Sequence, residues 1–155
     1  MNRSLQPSEL KEQLIKQLIV LAEEKSRFLG TYFPRPDKER ADMDQFLNLY
    51  THNVENYLAS KQFETESLVL IGSKITIEYL DYQASDTFTI VFPEEADPDE
   101  NRISFLSPVG RQLLLSKLNE TLAIAAPAGS MQVRITNIEF ETDEKLAEDV
   151  VRNES

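Results

Sequence analysis

Residues 103–110 read ISFLSPVG, and this stretch decides how the second half of the chain folds. A strand-like run ends at Ser107, whose hydroxyl can cap a helix by accepting a hydrogen bond from a free backbone N–H. Pro108 suits the first helical position, where no N–H partner is needed. The apolar side of the predicted helix is formed by Leu113, Leu114, Leu115 and Leu118.

Strand-like segments lie on both sides of this junction. Residues 74–80 alternate apolar and polar side chains, as a half-buried strand does, and residues 87–92 repeat the pattern. After the helix, residues 121–125 predict a short strand. The economical way to bury these segments is a small antiparallel sheet crossed by one helix.

The last predicted strand, residues 131–140, changes phase. Val133 and Ile135 share one parity, whereas Ile138 and Phe140 share the other. One extra residue near Thr136 would restore a single apolar face, which predicts a β-bulge there.

Before the sheet, the sequence predicts two helices in an antiparallel hairpin. The first begins with Ser8 as its cap and runs to about Leu29, with Gly30 as its stop. The second runs from about Lys38 or Ala41 to Ser60. Apolar residues step by four and three, as in a coiled coil. They are Leu14, Leu18, Leu21 and Phe28, then Met43, Leu47, Tyr50, Val54 and Tyr57, with Ile15, Ile19 and Val20 widening the first stripe.

The predicted fold class is therefore α+β. Residues 1–62 form a helical hairpin, residues 63–141 a sheet domain with one short helix, and residues 142–155 an acidic tail.

Charge and composition narrow the function classes. Residues 1–61 carry nine lysines and arginines against nine acids, and residues 62–155 carry seven against eighteen, so the whole net charge of −11 lies in the second part. Such a domain repels nucleic-acid phosphates, which favours a protein partner over sequence-specific DNA binding. The chain has no cysteine, no signal-like start and no membrane-length apolar run, so we expect a cytoplasmic protein. His52 is the only histidine and is predicted to lie on the surface.

Several motifs resemble the C-terminal domain of the bacterial GreA/GreB transcript-cleavage factors. Over residues 68–141 they are GSKITI at 72–77, VFPEEADP at 91–98, RIS at 102–104, SPVGR at 107–111 and APAG at 126–129. The resemblance implies an FKBP-like domain that docks on the rim of the RNA polymerase secondary channel. It also implies that Ser107 and Pro108 lie in the docking loop.

The same resemblance assigns a role to the end of the hairpin. In that family a coiled coil enters the secondary channel, and acids at its tip help to hold a catalytic Mg²⁺ ion of the polymerase. Residues 30–44 form the tip here, and they offer Asp42 and Asp44 as ligands of that ion and Asp37 and Glu39 as partner contacts. Carboxylates suit Mg²⁺, but acids at a helix N-terminus also have a structural explanation, so a solvated turn with capping acids remains the alternative.

Three functions are compatible with this sequence. The leading one is an elongation regulator that binds RNA polymerase and modulates its active site with the hairpin tip. The alternative is a regulator or adaptor similar to the short-hairpin regulator of nucleoside diphosphate kinase (Rnk), which binds another protein without acting on transcript cleavage. A prolyl isomerase follows from the implied fold alone. No G-x-S-x-G motif, phosphate loop or histidine pair is present, so we expect no active site, cofactor or small-molecule ligand of its own beyond the shared Mg²⁺.

Overall fold

The structure is a computed structural model, and it describes residues 7–60, 67–127 and 129–141. These residues form two compact units, which we call the hairpin (residues 7–60) and the sheet unit (residues 67–127 and 129–141). The α+β fold class is as predicted. The predicted acidic tail, residues 142–155, lies outside the described residues.

The hairpin contains helix α1 at Pro7–Tyr32 and helix α2 at Lys38–Ala59. Two cross-helix contacts fix their direction. Lys25 pairs with Asp44, and Gln17, which is earlier in α1, bonds Tyr50, which is later in α2. The helices are therefore antiparallel, as predicted.

The ends of α1 differ from the prediction. The helix continues for two residues beyond the predicted stop at Gly30, since an internal glycine costs a helix only about 1 kcal/mol. Pro34 ends it instead, because a proline disfavours helical geometry at the preceding residue, Phe33. The helix begins at Pro7, one residue before the predicted cap Ser8, because proline is tolerated in the first turn.

The helices pack through most of the predicted seam. The buried apolar residues are Leu14, Leu21, Phe28, Leu29, Met43, Leu47, Tyr50 and Val54. The prediction that Ile15 and Ile19 widen this stripe was wrong, because they are 49% and 46% exposed. Gln13 and Gln17 are buried in their place. The Tyr50 hydroxyl donates a 2.6 Å hydrogen bond to Gln17 Oε1, so a polar pair lies inside the interface.

The sheet unit contains five strands in the order β3-β2-β1-β5-β4. They are β1 at Ser73–Tyr79, β2 at Ala84–Val91, β3 at Arg102–Ser104, β4 at Thr121–Ala126 and β5 at Gly129–Phe140. Three neighbouring pairs are antiparallel, and β2 and β3 run parallel, which the predicted antiparallel sheet did not include. The connection between those two strands contains the short 3₁₀ helices Pro93–Glu95 and Pro98–Glu100, which return the chain to lie beside Thr89 in the second half of β2. A parallel pair requires such a crossing, and apolar alternation does not record strand direction.

The predicted β-bulge in β5 is confirmed. Thr76 of β1 lies opposite Asn137 and the next residue, Ile77, lies opposite Ile135, so Thr136 is the extra residue. Ile135 and Ile138 are both buried as a result, although they differ in parity.

The short helix α3, Pro108–Leu113, ends earlier than its leucine run suggests. Leu113 and Leu114 are buried, but Leu115 lies beyond the helix with φ of 68° and Leu118 is 39% exposed. The prediction of an apolar helix side was therefore right for Leu113 and wrong for Leu115 and Leu118, which lie beyond the helix. The chain leaves the helix because the Leu115 N–H donates to the Val69 carbonyl at 2.8 Å instead of continuing the helical ladder.

Candidate functional site

Ser107 caps α3 as the sequence predicted. Its backbone is extended, and its Oγ accepts a hydrogen bond from the Gly110 N–H at 3.1 Å. The same hydroxyl donates to the Ser104 carbonyl at 2.7 Å. Ser104 Oγ in turn accepts from the Leu106 N–H at 3.0 Å. The chain between β3 and α3 is therefore held by hydrogen bonds to Ser104 and Ser107.

Gly110 brings the first turn of α3 against the end of β3. A Cβ at this position would lie 2.3 Å from the Ser104 carbonyl oxygen and 3.0 Å from Ser107 Oγ. Only glycine allows this approach, because no side chain fits between the two backbones. Pro108 is exposed just outside the contact. The junction therefore presents Pro108 to solvent on a rigid base, with Ser107 as part of that base.

At the end of the hairpin, Asp37 has a structural task. It is the N-cap of α2, and its carboxylate accepts from the Arg40 N–H at 3.3 Å. Glu39 is exposed in the first turn of the helix. Both acids lie where the partial positive charge of a helix N-terminus stabilises them.

The structure does not bring Asp42 and Asp44 together. Residues two apart on an α-helix point to different sides, and Met43 between them is fully buried. Asp44 forms an ion pair with Lys25 of α1 across the interface. Its Oδ1 is removed from solvent and lies against the Lys25 ammonium. Asp42 is exposed, and Glu39 is three residues from it on the same side of the helix.

No group of three or more potential metal ligands is found among residues 7–60, 67–127 and 129–141. His52 is exposed, as predicted. In the part of the chain that the structure describes, no helix is both long and apolar enough to cross a bilayer.

The sequence did not identify the partners of Lys25. Its ammonium pairs with Asp44 and also donates to Asn48 Oδ1 at 2.8 Å. A signal was available, because Lys25 occupies a position of the apolar seam in α1 where a charge requires a partner. The burial of Gln13 and Gln17 had no comparable signal.

The turn between β1 and β2 carries a second unpredicted arrangement. The rings of Tyr79 and Tyr82 are stacked, with centroids 5.0 Å apart and planes 11° from parallel. The Tyr79 hydroxyl donates to Asp86 Oδ2 at 2.6 Å. Burial, followed by this hydrogen bond and the charge of Asp86, raises the pKa of Tyr79 to about 12. The phenol therefore stays protonated and keeps donating this hydrogen bond at any physiological pH.

Comparison with known proteins finds a family whose model matches the sheet unit. The family model described as "Transcription elongation factor, GreA/GreB, C-term" matches residues 64–140. Transcription elongation factor GreA of Desulfovibrio desulfuricans is 35% identical over 78 residues, which cover 50% of this chain and 48% of that protein. GreA of Bacillus anthracis is 39% identical over 75 residues, which cover 48% of this chain and 48% of that protein. The chain thus spans about half the length of several curated relatives that it matches.

Other matches cover a larger share of the chain. A GreA/GreB elongation factor of Nitrosomonas europaea superposes with a TM-score of 0.45 at 23% identity, covering 58% of this chain and 79% of that one. GreA factor homolog 1 of Thermus thermophilus does so with a TM-score of 0.43 at 18% identity, covering 86% and 92%. GreA of Thermosipho africanus is 33% identical over 137 residues, which are 85% of this chain and 86% of that protein. The extent and identity of that last match show that the chain belongs to the GreA/GreB family of transcription elongation factors.

Proposed function

We propose that this protein regulates transcription elongation by binding RNA polymerase, with the sheet unit on the rim of the secondary channel and the end of the hairpin inside it. One observation carries the proposal. The alignment with the Thermosipho africanus elongation factor spans 137 of 155 residues and so includes parts of both units. A mechanism that needs a docking unit and a helical hairpin therefore has both in this chain.

Pro108 is the proposed contact with the polymerase, and Ser107 is a positioning residue. The proline ring is exposed, whereas the Ser107 hydroxyl is already used by Ser104 and Gly110. Rigid presentation favours binding because little conformational entropy is lost on docking. The proposed docking loop therefore acts through shape more than through a free hydroxyl.

The geometry of the tip favours modulation of the active site over a fixed metal-binding pair. Asp42 is exposed and is the candidate Mg²⁺ ligand that remains available. Asp44 would have to exchange Lys25 for the ion and point elsewhere, since the two carboxylates lie on different sides of α2. Asp37 and Glu39 are proposed to contact the channel wall, and for Asp37 this adds to its role as a cap. The protein is then a regulator of the polymerase and not an enzyme.

The docking half of the proposal is tested by binding to core RNA polymerase. Pro108→Ala should weaken the complex about fivefold or more, as expected for loss of an exposed contact at the centre of an interface. Pro98→Ala is the matched control, because Pro98 is also exposed at the first position of a short helix in the same unit. Failure of the full-length protein to bind polymerase overturns the proposal.

The tip half is tested on stalled elongation complexes, where the length of backtracked RNA is followed after the protein is added. If Asp42 holds the ion, the wild-type protein shortens the RNA and Asp42→Ala loses most of that effect, while Glu55→Ala, an exposed acid near the other end of α2, retains it. If the tip only occupies the channel, RNA shortening is inhibited by the wild-type protein and by Asp42→Ala alike. The second result removes the metal role and keeps the regulator.

The adaptor alternative is supported by the Lys25–Asp44 ion pair, because a hairpin that neutralises one of its tip acids is suited to binding without cleavage. It predicts capture of a different protein by the full chain, with no polymerase bound. If core polymerase displaces the captured protein from this chain, the two share a binding site, and a separate adaptor role is contradicted.

A further inference from the structure

The outer edge of β4 has no strand beside it in the part of the chain that the structure describes. β4 ends the sheet on one side, and β3 ends it on the other. An edge strand presents unpaired backbone N–H and C=O groups, which can pair with a strand of another chain. β3 has only three residues, so it offers little to pair with. β4 has six residues and is the longer edge.

Two sets of hydrogen bonds show which residues of β4 turn their backbone outward. The Ile135 N–H of β5 donates to the Glu120 carbonyl at 3.0 Å, so the residue just before β4 faces β5. Both backbone groups of Ala125 bond to Gln112 of α3 instead. β4 and β5 pair without a register shift, and the backbone groups along a strand alternate in direction. The outward residues are therefore Thr121, Ala123 and Ala125.

The sequence of β4 carries none of the usual protection of an edge strand. Residues 121–126 read TLAIAA, with no charged residue and no proline. The three outward residues have small side chains, and all three are exposed. Charges, prolines and bulges are what commonly keep an exposed edge from pairing with another chain. Any protection of this edge therefore comes from outside the strand.

Gln112 protects the edge at Ala125. Its Oε1 accepts from the Ala125 N–H at 2.8 Å, and its Nε2 donates to the Ala125 carbonyl at 3.0 Å. The side-chain amide thus occupies the place that the peptide group of a neighbouring strand would take. Nε2 also donates to the Pro108 carbonyl at 2.9 Å, which ties the amide to the first turn of α3. The Gln112 amide is therefore held from both sides, by β4 and by α3.

We propose that the outer edge of β4 is a pairing surface for a second copy of this chain, and that Gln112 keeps this surface closed. The edge has no charge that selects a partner of opposite sign, but it is complementary to itself. Two copies of β4 can meet antiparallel about a two-fold axis at Ala123, so that Thr121 of each copy lies opposite Ala125 of the other. With Gln112 in place, the backbone groups of Ala125 are occupied in both copies. The inference goes beyond the proposed function and does not depend on binding to the polymerase.

The first test is hydrogen exchange of the full-length chain, followed by NMR as protection factors. In the wild type, the capped Ala125 amide should be about tenfold or more better protected than the Ala123 amide, which faces solvent. Gln112→Ala should remove that difference in dilute protein. Gln132→Ala is the matched control, because Gln132 is an exposed glutamine of β5, which lies inside the sheet. Equal protection of Ala123 and Ala125 in the wild type overturns the proposal.

The second test is the mass of the protein in solution, measured by sedimentation up to about 1 mM protein. The salt concentration is about 0.15 M, so that the acidic sheet units repel each other only over about 8 Å. Gln112→Ala should form dimers about tenfold or more tighter than the wild type, and the Ala123 and Ala125 amides should become protected as the dimer forms. A dimer that leaves the Ala123 amide unprotected uses another surface and contradicts the proposal.

Two further variants separate an opened edge from a weakened fold. Gln112→Glu loses the bonds that the amide donates but places a charged side chain at the edge, so it should associate no more than the wild type. Ala123→Pro, added to Gln112→Ala, removes an outward N–H and should return association to the wild-type level. Thermal unfolding of each variant checks that it is folded. A Gln112→Ala variant that stays monomeric, or a double variant that still dimerises, overturns the proposal.

Discussion

The hairpin and the sheet unit each contain a tyrosine whose hydroxyl donates a 2.6 Å hydrogen bond, and the two bonds lie in opposite surroundings. Tyr50 is fully buried and donates to the amide of Gln17 inside the helix interface. Tyr79 lies at the solvent boundary and donates to the carboxylate of Asp86. The first bond holds two helices in register, and the second holds a surface in place.

The two units therefore differ in the side chains that they can present to a partner. The hairpin uses its polar groups internally, since Asp37 caps α2 and Asp44 pairs with Lys25. The sheet unit keeps its framework in backbone pairing and in the serines before α3, which leaves Pro108 and Tyr82 free to face solvent. The sheet unit is therefore the unit that presents exposed side chains on a rigid framework.

The largest expected effect compares two helical glycines, one in each unit. Gly110→Ala places a Cβ 2.3 Å from a backbone oxygen that cannot move aside, so we expect it to lower the free energy of unfolding of the sheet unit by about 3 kcal/mol or more. Gly30→Ala meets nothing within 4 Å and should stabilise the hairpin by up to about 1 kcal/mol. Urea unfolding followed by NMR measures both units. An unchanged Gly110→Ala variant would show that the β3–α3 contact is looser than described.

The next largest effect concerns the buried pair in the hairpin. Tyr50→Phe removes the donor and leaves Gln17 Oε1 in an apolar interface, which should cost about 1–2 kcal/mol. Gln17→Leu alone should cost a similar amount, because the Tyr50 hydroxyl then loses its acceptor. The double variant should recover part of the loss, since both atoms of the Tyr50–Gln17 bond are then removed together. Additive losses in this double-mutant cycle would contradict a direct coupling.

The same two units show how far the sequence could predict the structure. Periodicity reports which residues face inward, so the seam of Leu14 and Met43 and the bulge at Thr136 were predictable. Periodicity does not show which residue of one helix lies opposite which residue of the other. The pairing of Lys25 with Asp44 could therefore not be predicted. The site residues follow the same division. Capping by Ser107 is a local property of four residues and was predicted, whereas the stacking of Tyr79 on Tyr82 depends on how a turn folds back.

The smallest expected effect is the pH dependence of the stability that Tyr79 contributes to the sheet unit. Its pKa is raised from 10.0 to about 12, chiefly by burial and then by the bond to Asp86. A raised folded-state pKa means that the stabilising contribution is complete below pH 10 and is lost as pH rises from 10 to 12. Because the Tyr79 side chain lies at the solvent boundary and is only partly buried, solvent screening keeps this contribution below about 1 kcal/mol.

The measurement is an NMR titration of the Tyr79 ring carbon that bears the oxygen, with a midpoint expected near pH 12. Asp86→Asn should lower the midpoint while leaving it above 10, because burial remains the larger cause. Tyr79→Phe should lose less stability than wild type between pH 10 and 12. Tyr32→Phe, in the hairpin, should leave the Tyr79 midpoint unchanged. A wild-type midpoint at 10 would mean that neither the burial of Tyr79 nor its bond to Asp86 is present in solution, in contrast to the buried Tyr50–Gln17 bond of the hairpin.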